Sequence, residues 1–370
     1  MKKVIFATLV AGAFALTSCG GSSNTTISKG SRSKLDTLSY SVGVNLASMV
    51  KNQISDLPLD YDVLVKAVIA TADGSSKLAH EDATATLQDY FMNKRAVRSA
   101  EVTETRNMAD SVALANGADT TAVREARRAA DQTADAAMFE DATERKLISE
   151  ALGCDLGNSI ANAKIPAQTI WVEEGFKDVF AGETKISEME AGNHIQQFFT
   201  VTLPEQNKAA SEEWLASIEK KSGVQKTESG ILYKVVAAGD ESFMPTDDRD
   251  VVKVKYTGKT RGGEVFDSSR YADMAEDRLA QLKAQNPEGE LPEDGEIIEF
   301  PLNRVIKGWT EGMKLVGKGG RISLWIPSDL AYGARGAGAM IGANEALFFD
   351  VELIDITPYE APEAPAATEE

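Results

Sequence analysis

Cysteine and histidine are almost missing, with two of each in 370 residues. His80 and His194 stand far from any cysteine pair, so neither a zinc site nor a histidine-based triad has support. Cys154 falls in a helical apolar pattern, where a buried, inert thiol is expected. Positive charge is short as well: 39 Lys and Arg against 57 Asp and Glu give a net charge of −18, which argues against a nucleic-acid partner. After residue 16 no apolar run approaches the roughly 20 residues that span a bilayer. No motif calls for a metal or an organic cofactor. Gly312 to Lys318, GMKLVGK, has the spacing of a phosphate loop, but Gly319 stands where Ser or Thr would hold magnesium and a strand, RISLWIP, follows where a helix should.

The N-terminus is a targeting pattern. Lys2 and Lys3 precede an apolar Val4–Leu16 run, and Leu16-Thr17-Ser18-Cys19 looks like a bacterial lipoprotein box, implying a signal peptide over 1–18 and lipid on Cys19. Several acyl chains would anchor the chain to a membrane without a spanning helix. If Cys19 is lipidated, Cys154 has no disulfide partner. Residues 19–34, rich in Gly, Ser and Thr, read as a flexible tether, and the Pro- and Glu-rich 358–370 as a disordered tail.

From Asp36 to about Gly223 the pattern is helical and repeats itself. Leu38–Leu46 lines up with Ile148–Leu156, Tyr61–Ile69 with Trp171–Phe180, and Lys77–Phe91 with Lys185–Phe199. Gly43 and Gly153 sit at matching places inside helical runs, where glycine costs about 1 kcal/mol relative to alanine, so close helix approach is expected. The repeats are assigned to 35–142 and 143–223. Between them, residues 94–146 alternate charge signs and read as a solvated helix, with Arg124, Arg127 and Arg128 as the alternative, an acidic-partner patch.

Beyond 223 the period changes to two. Val252, Val254 and Tyr256 share one face of a run, and Leu347, Phe349, Val351 and Leu353 share one face of another, as in antiparallel strands with one buried side. Val305, Trp309 and Met313 recur every four residues with Gly308 and Gly312 interleaved, predicting one short helix against the sheet.

Five ordered blocks carry a family resemblance: Tyr256-Thr257-Gly258; Gly263 to Ser269; Val305 to Met313; Ile326 to Gly333; and Leu347 to Leu353. Together they resemble the FKBP-type peptidyl-prolyl isomerases. The helical repeat resembles the N-terminal dimerisation domain of the macrophage infectivity potentiator type, its second copy running into the typical junction Gly223–Val236. The resemblance implies an α+β chain: two tandem helical repeats, then an isomerase domain over 224–357, an antiparallel sheet wrapped on a short helix.

It also implies a site. Trp309 would floor a pocket for the prolyl ring, with Tyr256, Phe266, Val305, Ile306 and Phe349 as walls and Ile341 closing the far side. Asp267 and Tyr332 would supply polar contacts, and the Ile306 backbone N–H would bind a substrate carbonyl. Expected partners are exported proteins with X-Pro bonds and a macrolide inhibitor, at a cell envelope, on the outer membrane facing the periplasm. The two helical copies would pair within one chain, or two chains would form a homodimer. A second reading is a lipid-anchored chaperone or peptide-binding scaffold with little turnover.

The chain departs from the family in places. Residues 270–296 form an insertion, acidic and partly helical around Met274–Leu279, with a turn expected at Asn286–Gly289 and a lip over the pocket as one role. Arg270 and Arg278 are candidate partners of Asp267. Ala337 and Gly342-Ala343 stand where some relatives carry His and Pro-Pro, and Leu330 and Ile298 replace aromatics.

Overall fold

A computed structural model describes residues 27–34, 36–115, 121–122, 137–163, 165–274, 276–285, 292 and 294–360. The signal peptide, Cys19, the arginines at 124, 127 and 128, the turn at 286–289 and residues 361–370 of the tail lie outside the described residues. The chain divides into two compact units, parting between Phe199 and Thr200.

The first unit is helical. Helix α1 (Thr37–Gln53) starts where the Asp36 carboxylate accepts the Ser39 N–H at 2.8 Å, and α2 (Tyr61–Ala72) is capped in the same way by Asp60. Then come α3 (His80–Asp89), α4 (Arg95–Ala115), α5 (Ala142–Asn162, capped by Asp141), α6 (Thr169–Ala181, ended by left-handed Gly182) and α7 (Glu188–Gln197, opened by a Ser187/Glu190 capping box). The repeat persists in detail: α3 and α7 each run into one π-helical turn, Tyr90–Lys94 and Phe198–Thr202.

The copies are interlocked within the chain. Helix α1 of the first packs on α6 and α7 of the second, and α5 of the second packs on α2 and α3 of the first. Reciprocal hydrogen bonds mark the pseudo-symmetry. The N–H of Gln168 donates to Ser39 Oγ at 2.8 Å, and the N–H of Asp60 donates to Ser149 Oγ, also at 2.8 Å. Both serines are fully buried, so each bond satisfies a group that water cannot reach. The glycines act as the sequence suggested: a Cβ on Gly43 would lie 2.2 Å from the Val172 carbonyl oxygen, and one on Gly153 would lie 2.3 Å from that of Leu64.

The tether needs correction over its described part. Ser28 forms a bridge with Gln168, and the Trp171 indole donates to the Ser31 carbonyl at 3.0 Å. Composition concealed this, because the segment is held by its backbone. Tyr359 likewise does not hang free: its N–H donates to Asp250 at 2.8 Å and Arg249 lies 3.9 Å over its ring.

The second unit opens with α8 (Leu203–Glu219), a helix that the repeat boundary at 223 assigned to the helical module. Strands β1 (Gln225–Lys226), β2 (Leu232–Ala237), β3 (Val251–Thr260), β4 (Val265–Ser268), β5 (Ile298–Pro301), β6 (Arg321–Ile326) and β7 (Leu347–Thr357) form one antiparallel sheet ordered β1-β2-β6-β7-β3-β4. Strand β5 also pairs β3, taking Val251–Val254 while β4 takes Thr257–Lys259. So β4 and β5 lie end to end along one edge, and the insertion leaves between them. It carries α9 (Glu276–Gln285), and its base is pinched shut where Glu296 N–H donates to the Ser269 carbonyl at 2.8 Å.

Helix α10 (Lys307–Gly312) crosses the inner face. A Cβ on Gly308 or Gly312 would fall 2.4 or 2.5 Å from the side chains of Ile326 and Leu324, so the two glycines let the helix sit directly on β6. That contact drives Trp309 and Met313 into the core among Val252, Val254, Leu324, Val351 and Leu353.

Candidate active site

The strand periodicity that buries Tyr256 and Phe349 also aims them at Trp309. The Tyr256 ring stands 5.1 Å from the indole at 90°, Phe349 at 5.4 Å and 86°, and Phe300 at 5.6 Å and 83°. Three rings edge-on to one indole make walls around a floor, a favoured aromatic geometry. Phe266 extends the wall through Phe349, 5.6 Å away at 85°. Gly258 permits this, since a Cβ there would meet the Phe266 ring at 2.7 Å and the Phe349 ring at 2.9 Å.

Above the indole is an open cup of about 440 Å³, lined by Tyr256, Phe266, Asp267, Phe300, Arg304, Val305, Ile306, Trp309, Tyr332 and Phe349. Trp309 is only 4% exposed and lines the cup. Asp267 sits on the wall, and the Tyr256 hydroxyl donates to its Oδ2 at 2.5 Å. Burial pushes the Tyr256 phenol far above its ordinary range, with the Asp267 carboxylate adding to the effect. Tyr332 is raised by partial burial and then by the Asp267 charge. Both phenols therefore stay protonated donors at neutral pH.

The Ile306 carbonyl accepts the N–H groups of Trp309 (2.9 Å) and Thr310 (3.2 Å) at the start of α10. Among the described residues nothing accepts from the Ile306 N–H itself. It is the natural donor for a carbonyl entering the cup.

The structure thus gathers eight of the residues singled out from the sequence: Tyr256, Phe266, Asp267, Val305, Ile306, Trp309, Tyr332 and Phe349. Ile341 is not among the lining. It is 4% exposed in the core, bridged through its backbone to Ala337. Phe300 and Arg304 were missed. Phe300 shares a face with Ile298 in a short strand whose bounds beside the insertion have no mark in the sequence, and nothing in the sequence marks Arg304 as a lining residue.

Arg270, one of the two candidate partners of Asp267, is engaged elsewhere. Arg270 binds Asp350 Oδ1 at 2.9 Å and the Lys255 carbonyl at 3.2 Å, on the outer face of the sheet, while Asp267 takes its hydrogen bond from Tyr256. No described residue of 270–296 lines the cup.

Comparison with known proteins matches the chain in three stretches. A family profile described as FKBP-type peptidyl-prolyl cis-trans isomerase matches residues 244–354. One described as the domain amino-terminal to FKBP-type peptidyl-prolyl isomerase matches twice, at 35–140 and 145–235. A probable FKBP-type peptidyl-prolyl cis-trans isomerase of Haemophilus influenzae is 40% identical over 157 residues, covering 42% of this chain and 55% of that protein. The FKBP-type peptidyl-prolyl cis-trans isomerase FkpA of Aeromonas hydrophila is 34% identical over 249 residues, 63% of this chain and 84% of that protein. A Legionella longbeachae protein named outer membrane protein MIP is 29% identical over 225 residues, 58% of this chain and 86% of its own length.

Proposed function

The chain belongs to the FKBP-type peptidyl-prolyl cis-trans isomerases, and from that premise we propose that it turns X-Pro bonds of proteins within the aromatic cup on Trp309. The observation that carries this reading is the ring of edge-on aromatics around an indole that is buried yet opens to a cavity.

The chemistry needs no nucleophile. The amide barrier of about 18–20 kcal/mol is lost resonance, and a thousandfold acceleration asks for only about 4 kcal/mol of preference for the twisted amide. A planar amide is the more charge-separated form, so a dry aromatic cup disfavours it relative to the twisted one. Trp309 and the walls hold the prolyl ring. The Ile306 N–H fixes a substrate carbonyl, while Tyr332 and the Asp267 carboxylate, steadied by Tyr256, supply preset polar contacts as the carbonyl rotates. Phe300 completes the wall.

Exchange NMR on a short X-Pro peptide tests this. The lipid-free protein is expected to speed cis/trans exchange well above the uncatalysed rate, and an unchanged rate would leave only the scaffold reading. Because both phenols are held protonated, kcat/KM should be level from about pH 7 to pH 9.

We also place the protein at the cell envelope, anchored by lipid on Cys19. The leader pattern supports this, as does the outer-membrane name of the Legionella relative. The interlocked repeats favour a single chain over a homodimer, since each copy already covers the apolar faces of the other at high effective concentration. Light scattering on protein lacking residues 1–26 is expected to give the monomer mass. A dimer mass that persists on dilution would mean that the repeats pair between chains.

A further inference from the structure

Tyr332 reaches the cup from the start of a glycine-rich loop. Residues 333–346 contain no proline and four glycines, of which Gly333, Gly336 and Gly338 have positive φ. Such a stretch has much conformational freedom to lose on folding. The Ala337–Ile341 bridge and the Gly342 N–H bond to the Glu345 carboxylate hold its middle, and its last residues are tied to α8, far back in the chain. Ser211 Oγ donates to the Asn344 carbonyl at 3.1 Å and accepts the Ala346 N–H at 3.0 Å. The Asn344 side-chain amide donates to the Pro204 carbonyl at 3.2 Å, about two helix turns from Ser211 along the same face. Ser211 is 4% exposed, so its hydroxyl has no water to fall back on.

Asn344 is the hinge of this arrangement. Among the described residues it is the non-glycine residue with positive φ, at 59°, and its own N–H donates to the Gly333 carbonyl at 2.8 Å. Gly333 directly follows Tyr332. A path of hydrogen bonds therefore runs from α8 through Asn344 to the backbone beneath the Tyr332 phenol. A left-handed asparagine persists only where its surroundings hold it, and here both of its amides are held, one by α8 and one against Gly333.

We propose that α8 is a positioning element of the isomerase, with Ser211 and Asn344 setting the place of Tyr332 at the rim of the cup. The proposal rests on the reading of Tyr332 as a site residue. It extends the catalytic unit back to about residue 200, into the last helix of the second repeat. It also explains how a loop with Gly342-Ala343 in place of a proline pair can still present a fixed wall.

The test is a double-mutant cycle in the full chain, with exchange NMR on an X-Pro peptide as the readout. Ser211→Ala is expected to lower kcat/KM by about three- to tenfold in the parent and by less than about 1.5-fold in a Tyr332→Ala background, because the residue acts through Tyr332. Asn344→Gly keeps the backbone conformation, removes the bond to Pro204 and should behave in the same way, so the test survives if Ser211→Ala fails to fold. The Tyr332 ring resonances should shift or broaden in both variants. A parent-like kcat/KM in both, beside an impaired Tyr332→Ala, overturns the inference alone. Equal losses in the two backgrounds also overturn it, since they would mean general loosening. A parent-like Tyr332→Ala overturns the reading of the site and the inference with it.

Discussion

Asp267→Ala is expected to lower kcat/KM on a short X-Pro peptide by about 10- to 100-fold while leaving the fold in place. Removing one preset polar group from a catalytic pocket commonly costs about 1.4–2.7 kcal/mol of transition-state stabilisation, which is that factor in rate. Here the loss is compounded. Asp267 is also the acceptor for the Tyr256 hydroxyl at 2.5 Å, so the variant leaves a largely buried phenol to find another partner. Asp267 itself is exposed at the cup wall, so the cost to global stability should be limited to the stranded Tyr256 hydroxyl, about 1–3 kcal/mol. The KM–kcat split separates the causes. A fall in kcat with KM held would place the carboxylate in the rotation step, and a rise in KM alone would make it a binding group. Activity equal to the parent would remove Asp267 from the site.

Gly43→Ala and Gly153→Ala are each expected to destabilise the helical unit by about 1–3 kcal/mol, against the intrinsic preference of a helix for alanine by about 1 kcal/mol. The sign is what matters. A Cβ at either place would press on a backbone carbonyl of the facing helix at 2.2 or 2.3 Å, and backbone cannot step aside as a side-chain tip can. Gly192 in α7 provides the control. Nothing lies within 4 Å of its Cβ position, so Gly192→Ala should stabilise by about 0.4–1 kcal/mol. Thermal unfolding followed by circular dichroism reads all three. Stabilisation by alanine at 43 or 153 would mean that the copies do not interlock through these helices in solution.

Much of this was legible in the sequence because the signals were redundant. The two long strands β3 and β7 show their period of two, and Gly308 and Gly312 announce a helix that must touch something closely. The tandem copies declare themselves by alignment, and the glycines at 43 and 153 point to the tight crossing before any coordinates do. What was not legible depends on pairs far apart in the chain. No local pattern tells that Ser211 will meet Asn344, since a serine on a helix face is ordinarily solvated. Arg270, one candidate partner of Asp267, lies past the end of β4 and meets Asp350 instead, a pairing that no local pattern announces. Residues 28–32 were read as slack from their composition, because side-chain content says nothing about backbone hydrogen bonds to a distant helix start.

The central claim is that a prolyl ring seated on the Trp309 indole is where the amide turns. Intermolecular NOE measurement between an isotope-labelled X-Pro peptide and the protein, under conditions of catalysed exchange, tests it most directly. The account predicts contacts from the proline ring protons to the Trp309 indole and the Phe349 ring, together with exchange faster than in peptide alone. Accelerated exchange with the proline ring in contact elsewhere, and none to residue 309, would contradict it.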